Sequence, residues 1–475
     1  MDRLVQVALL AVAGFALVPA AGGQSAVDDH IQKQLEAMQD EIERLGRDNT
    51  LMRDEIDDLH AQLGENWLTE RRANEIRSLV ADVLADADVR VSRIDDGLTA
   101  GWSDHFFMAS PDNRFRLEVD GLLQFRWIYN YHDQPDRHVQ GFENTRTQLT
   151  LRGHVFGPQM TYLLRTDATR NEPGLVTGLF FTRDAWIRYR FNNEWSVRAG
   201  QFKLPFNREE LVSSAYQLAV ERSLVNEAMN LGRSQGVEVT YATDHKKYSV
   251  AFSDGLADSL NHFNPGVNPV NTTALTADLA EWAVTGRFEH LLRGSWEQFE
   301  DFTSPPGDEF GLLVGLGTHV QRYESGTDNA RDRPWFAWTA DVSAEWGGAT
   351  LFGSFTHHYV DDPFFLLNAY GIVVQGGVYF TPKLELFARA EYSWLDFNTD
   401  FASFFDRSSL TLLTLGANYY IDGHDLKWST DVGFGLSQIE DVFSLNPDLN
   451  IAGYRPDADG VKPQIVFRSQ FQLLF

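Results

Sequence analysis

From Asn113 to Phe475 the chain alternates apolar and polar side chains, and a period of two commits a backbone to strands with one greasy and one wet face. In PQIVFRSQFQLLF, which ends at Phe475, Ile465, Phe467, Phe471, Leu473 and Phe475 share one face. Gln464, Arg468, Gln470 and Gln472 share the other, and Ser469 is a small break in the apolar row. RFRLEVDGLLQFRWIYN sets Phe115, Leu117, Val119, Leu123, Phe125, Trp127 and Tyr129 against Arg116, Glu118, Asp120, Gln124 and Arg126. The same dyads recur in TRTQLTLRGHVF, DAWIRYRF, GVEVTYAT, WFAWTADVSAEW and KLELFARAEYSW.

The connections say how such strands are joined. Tight links fall at 156–159, 192–194, 243–246, 347–348, 381–383 and 422–424, and longer ones lie between them around 130–143, 168–182, 203–234, 254–278, 321–334, 361–367, 397–408 and 438–462. Short and long alternate except at GSWEQFEDFTSPPGDE, where a tight turn is expected. A sandwich or propeller has no such two-sided asymmetry. An up-and-down barrel in an outer membrane does, and the count predicts an all-β fold, an antiparallel transmembrane β-barrel of about 16 strands over 113–475. Its terminal strand closes against the first with the apolar row facing outer-membrane lipid, which leaves no backbone donor or acceptor unpaired. Aromatics make up 13% of the chain, enough to build girdles at both interfaces.

Ahead of the barrel the period changes. Residues 1–23 have an early Arg3, an apolar run from Leu4 to Val18 and small residues after it, the pattern of a secretory signal peptide. Residues 28–64 carry a heptad, with Ile31, Leu35, Met38, Ile42, Leu45, Asn49, Met52, Ile56, Leu59 and Leu63 at the core positions. That predicts an α-helical coiled coil of about 55 Å in the periplasm, able to reach the cell wall as a tether. A helical segment and linker, 65–112, leads into the barrel. The chain has no cysteine, which excludes disulfides and thiolate chemistry, and a formal charge of −27 argues against nucleic acid as a partner.

VRAGQFKLPFNREELVSSAYQLAVERSLVNE (197–227) resembles the phosphate-selective porin O and P family, and FTPKLELFARAEYSW, YYIDGHDLKWSTDVGFG and RSQFQLLF are similar to its later strands. The resemblance implies a homotrimeric outer-membrane channel of 16 strands that passes small anions such as phosphate or pyrophosphate. It also implies that Phe475 is read by the barrel-assembly machinery. On the period-two reading the inward faces of the first strands carry Arg116, Arg126, Arg146, Arg152, Arg165, Arg188, Arg190 and Arg198 against Glu118, Asp120, Asp167 and Asp184. Arginines lining a pore favour anions because a low-dielectric wall focuses their field. In the later strands Arg389, Lys427 and Arg468 are offset by Glu281, Glu385, Glu391 and Asp431, so that side of the lumen is mixed. The third long link is the one that narrows the pore in such relatives. It makes Lys203, Arg208, Arg222 and Arg233 the constriction candidates, with Glu209, Glu210, Glu221 and Glu227 as counter-charges. Two further readings are a general or cation-preferring porin, in keeping with the acidic total, and a barrel that chiefly anchors the coiled-coil tether.

No enzyme motif stands out. His357 and His358 are neighbours in a strand, so their rings point to opposite faces and cannot chelate one metal. The glycines of GLGTHV and GGVYF lack the strand–turn–helix setting of a nucleotide loop, and no nucleophile elbow is present. No cofactor is expected.

Overall fold

The computed structural model describes residues 97–103, 105–132, 138–168, 180–255, 280–323, 333–361, 366–397, 409–439, 452–455 and 464–475. The signal peptide, the coiled coil over 28–64 and the helical part of 65–112 lie outside the described residues.

Two short strands, β1 (Thr99–Ser103) and β2 (His105–Ala109), form a hairpin within the stretch that the sequence reading takes as linker. β2 pairs with the opening of β3 (Arg116–Tyr131), Met108 opposite Leu117. The ring then continues with β4 (His138–His154), β5 (Met160–Ala168), β6 (Phe180–Arg190), β7 (Trp195–Lys203), β8 (Arg233–Ala242) and β9 (Lys246–Ser253). It is completed by β10 (Ala280–Arg293), β11 (Gly311–Tyr323), β12 (Arg333–Trp346), β13 (Ala349–Asp361), β14 (Leu366–Thr381), β15 (Leu384–Phe397), β16 (Ser409–Asp422), β17 (Leu426–Gly435) and β18 (Ile465–Leu474). Among the described residues the sheet has 18 strands, and the 16 from β3 to β18 form the barrel.

Every strand pairs antiparallel with the next, and the ring shuts where β18 meets β3, with Phe471 opposite Phe125 and Leu473 opposite Leu123. Closure satisfies the ladder groups that lipid cannot hydrogen-bond. At the seam Phe475 N donates to Gly121 O (3.0 Å) and Gly121 N donates to Phe475 O (2.7 Å). A Cβ on Gly121 would fall 2.4 Å from the Phe475 ring, so only glycine leaves room for that aromatic.

The predicted parity of the strands holds. Leu123, Phe125, Val250, Phe252, Leu316, Val342, Val374, Leu415 and Phe471 are exposed on the outer face. The inward positions of β3, Gln124, Arg126 and Asn130, are buried. On the outside His357 stacks on Tyr370 (4.6 Å) and Tyr370 on Trp394 (4.5 Å), a patch of aromatic girdle. Tight turns join β4–β5, β6–β7, β8–β9, β12–β13, β14–β15 and β16–β17 on one rim. At the β12–β13 turn Gly348 takes φ +91°, a value that a glycine adopts without strain.

Two features set the shape of the lumen. The strands β5 to β9 have 8 to 11 residues, whereas β10 to β16 have 13 to 16, so one flank of the wall is low and the other tall. The link 294–310, on the rim of tight turns, is long because it turns into the barrel, where Phe299 and Phe302 are buried. The apolar core is therefore inside the cylinder. Phe206, Leu218, Leu224, Val225 and Met229, all between β7 and β8, pack with Phe302, Phe352, Val373 and Phe387 into one cluster.

Candidate functional site

The segment between Lys203 and Arg233 forms an inner loop laid along the wall. It contains a short helix α1 (Arg208–Leu211), a 3₁₀ turn (Ser214–Tyr216) and α2 (Leu224–Met229). Ser223 starts α2 by accepting a hydrogen bond from Asn226 N (2.9 Å), as an N-cap serine should. The Ser223 amide and hydroxyl donate in turn to the two carboxylate oxygens of Glu209, each at 2.7 Å. Glu391 of β15 accepts from Leu224 N (2.7 Å), which ties the first turn of α2 to the wall. Further along, Asn418 donates to Leu218 O (2.8 Å), Val220 N to Asp431 (3.0 Å), and Gln472 to Ala215 O (3.1 Å). Space for α2 comes from Gly371 of β14, where a Cβ would lie 2.4 Å from Val225 and 2.6 Å from the Met229 sulfur. The loop thus covers the inner face from β13 round to β3.

The four basic residues expected at the constriction are all bonded, Lys203 and Arg222 to the loop itself, Arg208 to the inturned link 294–310 and Arg233 to the wall. Lys203, the last residue of β7, and Arg222 both pair with Glu210, at 3.2 and 3.3 Å. Arg233, the first residue of β8, pairs with Asp184 (3.0 Å). Arg208 points away from the passage and donates to the carbonyls of Phe299 and Asp301, joining the inner loop to the inturned link 294–310. That link is fixed further by Thr303 donating to Glu385 (2.9 Å) and by His424 against Asp301 (3.1 Å). Glu210 stands among the counter-charges expected from the sequence, whereas Asp184 and the carbonyls of Phe299 and Asp301, 49 to 93 residues away from their arginines, do not.

Two loop carboxylates behave differently. Glu221 lies between Arg126 (2.8 Å) and Arg146 (2.7 Å). Burial works against its ionisation, but the two guanidinia outweigh that and hold its carboxyl down at about 2. Glu227 is the one residue of α2 whose side chain is not buried, and its carboxylate makes no hydrogen bond or ion pair among the described residues. Desolvation and the nearby Glu210 and Glu221 push it up to about 7, against the pull of Arg222 and Arg146.

The remaining arginines divide by exposure. Arg152, Arg116 and Arg165 keep 38%, 30% and 28% of their side-chain surface, whereas Arg126, Arg468 and Arg389 keep 0%, 0% and 3%. The inner face of β3 to β8 is therefore left open in its tight-turn half, and the opposite face is filled by the two inturned segments. On the filled side Arg389 is neutralised by Glu391 (2.9 Å) and Arg468 by Asp431 (2.6 Å), and Lys427 donates to Gln217 O (3.2 Å). The Glu281 side chain lies outside the described residues.

The open face is basic in net terms. Arg116 and Arg152 share Glu118 (2.7 and 3.0 Å), and Arg152 also reaches Asp120 (3.2 Å). Arg165 meets Asp184 (3.4 Å) and Arg198 meets Glu238 (2.7 Å). The side chains of Arg188 and Arg190 make no hydrogen bond or ion pair among the described residues. The register lines up Arg116, His154, Thr161, Arg188, Arg198 and Glu238 across six adjacent strands. Glu238 and Trp186 were missed from the sequence, although alternation in GVEVTYAT and DAWIRYRF puts both on the inward face. Among the described residues no three His, Asp or Glu side chains converge as metal ligands. His357 faces out and His358 is buried inward, accepting from Trp335 (3.2 Å) and donating to Met229 O (2.9 Å).

A family model described as phosphate-selective porin O and P matches residues 115–433. A protein of Aquifex aeolicus (strain VF5), described as uncharacterised, is 24% identical over 265 residues; the match spans 53% of this chain and 62% of that relative's length. Among solved structures the barrel is similar to an anion-selective porin from Comamonas acidovorans, with 15% identity, a TM-score of 0.53, and 76% of this chain and 99% of the other covered. It is also similar to OmpF of Salmonella typhi in complex with daunomycin, with 11% identity, a TM-score of 0.51, and coverage of 76% and 99%. At these identities the likeness to solved structures is one of fold.

Proposed function

Because the chain belongs to the phosphate-selective porin O and P family, outer-membrane channels, we propose that it passes small anionic solutes, phosphate and pyrophosphate first among them. The observation that carries the reading is the match between charge and water. The face left open carries Arg116, Arg152, Arg165, Arg188, Arg190 and Arg198, while the arginines of the filled face are buried against carboxylates and the loop. A fixed positive wall in a narrow aqueous path raises the local anion concentration. The planar fork of arginine also suits phosphate oxygens.

The test is the reversal potential of the purified protein in planar bilayers across a salt gradient. An anion-directed potential is expected, and it should fall when Arg152, Arg188 and Arg190 are changed together to Gln. A cation-directed potential in the wild type would refute the reading and favour the cation-preferring alternative, which the unpaired Glu227 and the net charge of −27 support.

We further propose a homotrimer in which the low flank of the barrel faces its neighbours. Support comes from the short strands β5 to β9 and from Ile187, Val237, Val239, Val250 and Phe252 exposed on their outer side. Residues 28–64 would extend the assembly as a coiled coil toward the cell wall. Deleting them should leave conductance intact while loosening the oligomer on native gels or its attachment to the envelope.

A further inference from the structure

An inward-facing tryptophan is unusual in a water-filled wall, and Trp186 sits among the arginines of the open face. The Arg188 guanidinium lies 5.0 Å from its ring centroid and that of Arg198 5.6 Å, and Arg198 also covers Phe202 at 4.2 Å. Arg188 and Arg198 are direct partners across β6 and β7, a like-charge pairing that destabilises a sheet. Among the described residues the one carboxylate bonded to the pair is Glu238, which accepts from Arg198 (2.7 Å) and from the Thr240 hydroxyl (3.2 Å) and leaves Arg188 without a bond to it. In the next register row Trp186 is followed by Gly200 and then Gly236, so two successive strands beside the indole present backbone and no side chain. The result is a recess with an aromatic wall, a bare floor, and at its edge the Arg188 guanidinium, which makes no hydrogen bond or ion pair among the described residues.

We propose that this recess is a subsite for planar aromatic carboxylates, the ring lying beside Trp186 over Gly200 and Gly236 and the carboxylate held by Arg188 and Arg198. The proposal rests on the reading that the lumen conducts anions, and it names a solute class beyond inorganic phosphate. Guanidinia stacked on aromatic faces are weakly hydrated and present a fork that a carboxylate fits. A phosphate would use the charge but leave the apolar surface of Trp186 unused. A benzoate uses both, and a ring-on-ring contact favours it over acetate by about ten-fold in affinity.

The experiment is block of chloride current through the purified full chain in planar bilayers, with benzoate, acetate and inorganic phosphate added separately. In the wild type, half-block by benzoate is expected at about one-tenth of the acetate concentration. Trp186→Leu should bring benzoate and acetate within about two-fold of each other while moving phosphate block by less than that, and Trp186→Phe should keep the preference. Arg188→Gln should weaken block by benzoate and by phosphate alike. Equal block by benzoate and acetate in the wild type, or a preference that survives Trp186→Leu, would overturn the subsite and leave the anion channel standing. The reversal potential of the same wild-type channels tests the underlying reading separately, because a cation-directed value would remove both.

Discussion

Arg146 of β4 holds Glu221 of the inner loop with both terminal nitrogens, at 2.9 and 2.7 Å, and Arg126 approaches the same carboxylate at 2.8 Å. Removing one member of such a buried group costs about 3–5 kcal/mol, because the remaining charges lose their partner. Glu221→Gln is therefore expected to release this end of the loop and leave the Arg146 guanidinium without its carboxylate, while Arg126 keeps Glu143. Single-channel records should show larger, noisier conductance and stronger anion selectivity than the wild type. Quiet records of unchanged amplitude would mean that the pair does not anchor the loop.

A second prediction concerns Gly371. A side chain there collides with Val225 and Met229, so Gly371→Leu should push α2 off the wall at a cost of about 1–3 kcal/mol. Hydrogen exchange over 204–232 should accelerate while the strands stay protected. Equal exchange in the two proteins would show that the close packing of α2 on β14 is not what holds it.

The unpaired Glu227 gives the channel a response near neutral pH. Its carboxyl is raised to about 7 by desolvation first and by Glu210 and Glu221 next, so it takes up a proton as the pH falls through that value. The sign for stability follows. A raised carboxyl binds more protons folded than unfolded between about 4.5 and 7, so its contribution to stability declines as pH rises through that window. For transport, losing one negative charge beside the passage should raise the anion-to-cation permeability ratio by about two-fold between pH 8 and pH 6. Reversal potentials measured at the two pH values check this, and Glu227→Gln should flatten the change. A mutant that keeps the full pH response would assign it elsewhere.

Arg208 links the inner loop to the segment turned in from the opposite rim, through the carbonyls of Phe299 and Asp301. Its loss in Arg208→Ala leaves the buried Phe299 carbonyl without a charged donor, at about 1–3 kcal/mol, and the half-buried Asp301 carbonyl at less. The expected readout is faster exchange in both 204–232 and 294–310 together. Exchange that rises in one segment only would show that the two are independent.

Much of this architecture is written in the alternation. The inward position of Arg152, the outward position of Phe125 and the pairing of the last strand with the first follow from a period of two and the need to close an edge, and the structure agrees on each. The path of the inner loop is not written there. It depends on which wall offers room and partners: Gly371 for Val225, Asn418 for Leu218 and Glu391 for Leu224 are contacts between residues more than a hundred positions apart. For the same reason the sequence names Glu210 among four counter-charges but not that it takes both Lys203 and Arg222. The hairpin at 99–109 escaped because two five-residue strands are too short to show a period.

The uneven filling of the lumen divides the barrel into two regimes of tolerance. On the packed half inward residues such as Asp431 and Glu385 are bonded to Val220 and Thr303 of the inturned segments, so an exchange there disturbs two elements at once. On the bare half Arg188 and Arg190 make no hydrogen bond or ion pair among the described residues, and an exchange there alters the charge of the lumen without disturbing the inturned segments. A lineage carrying this fold can drift from one solute to another by single steps along β4 to β8, while the opposite half keeps the cylinder's form.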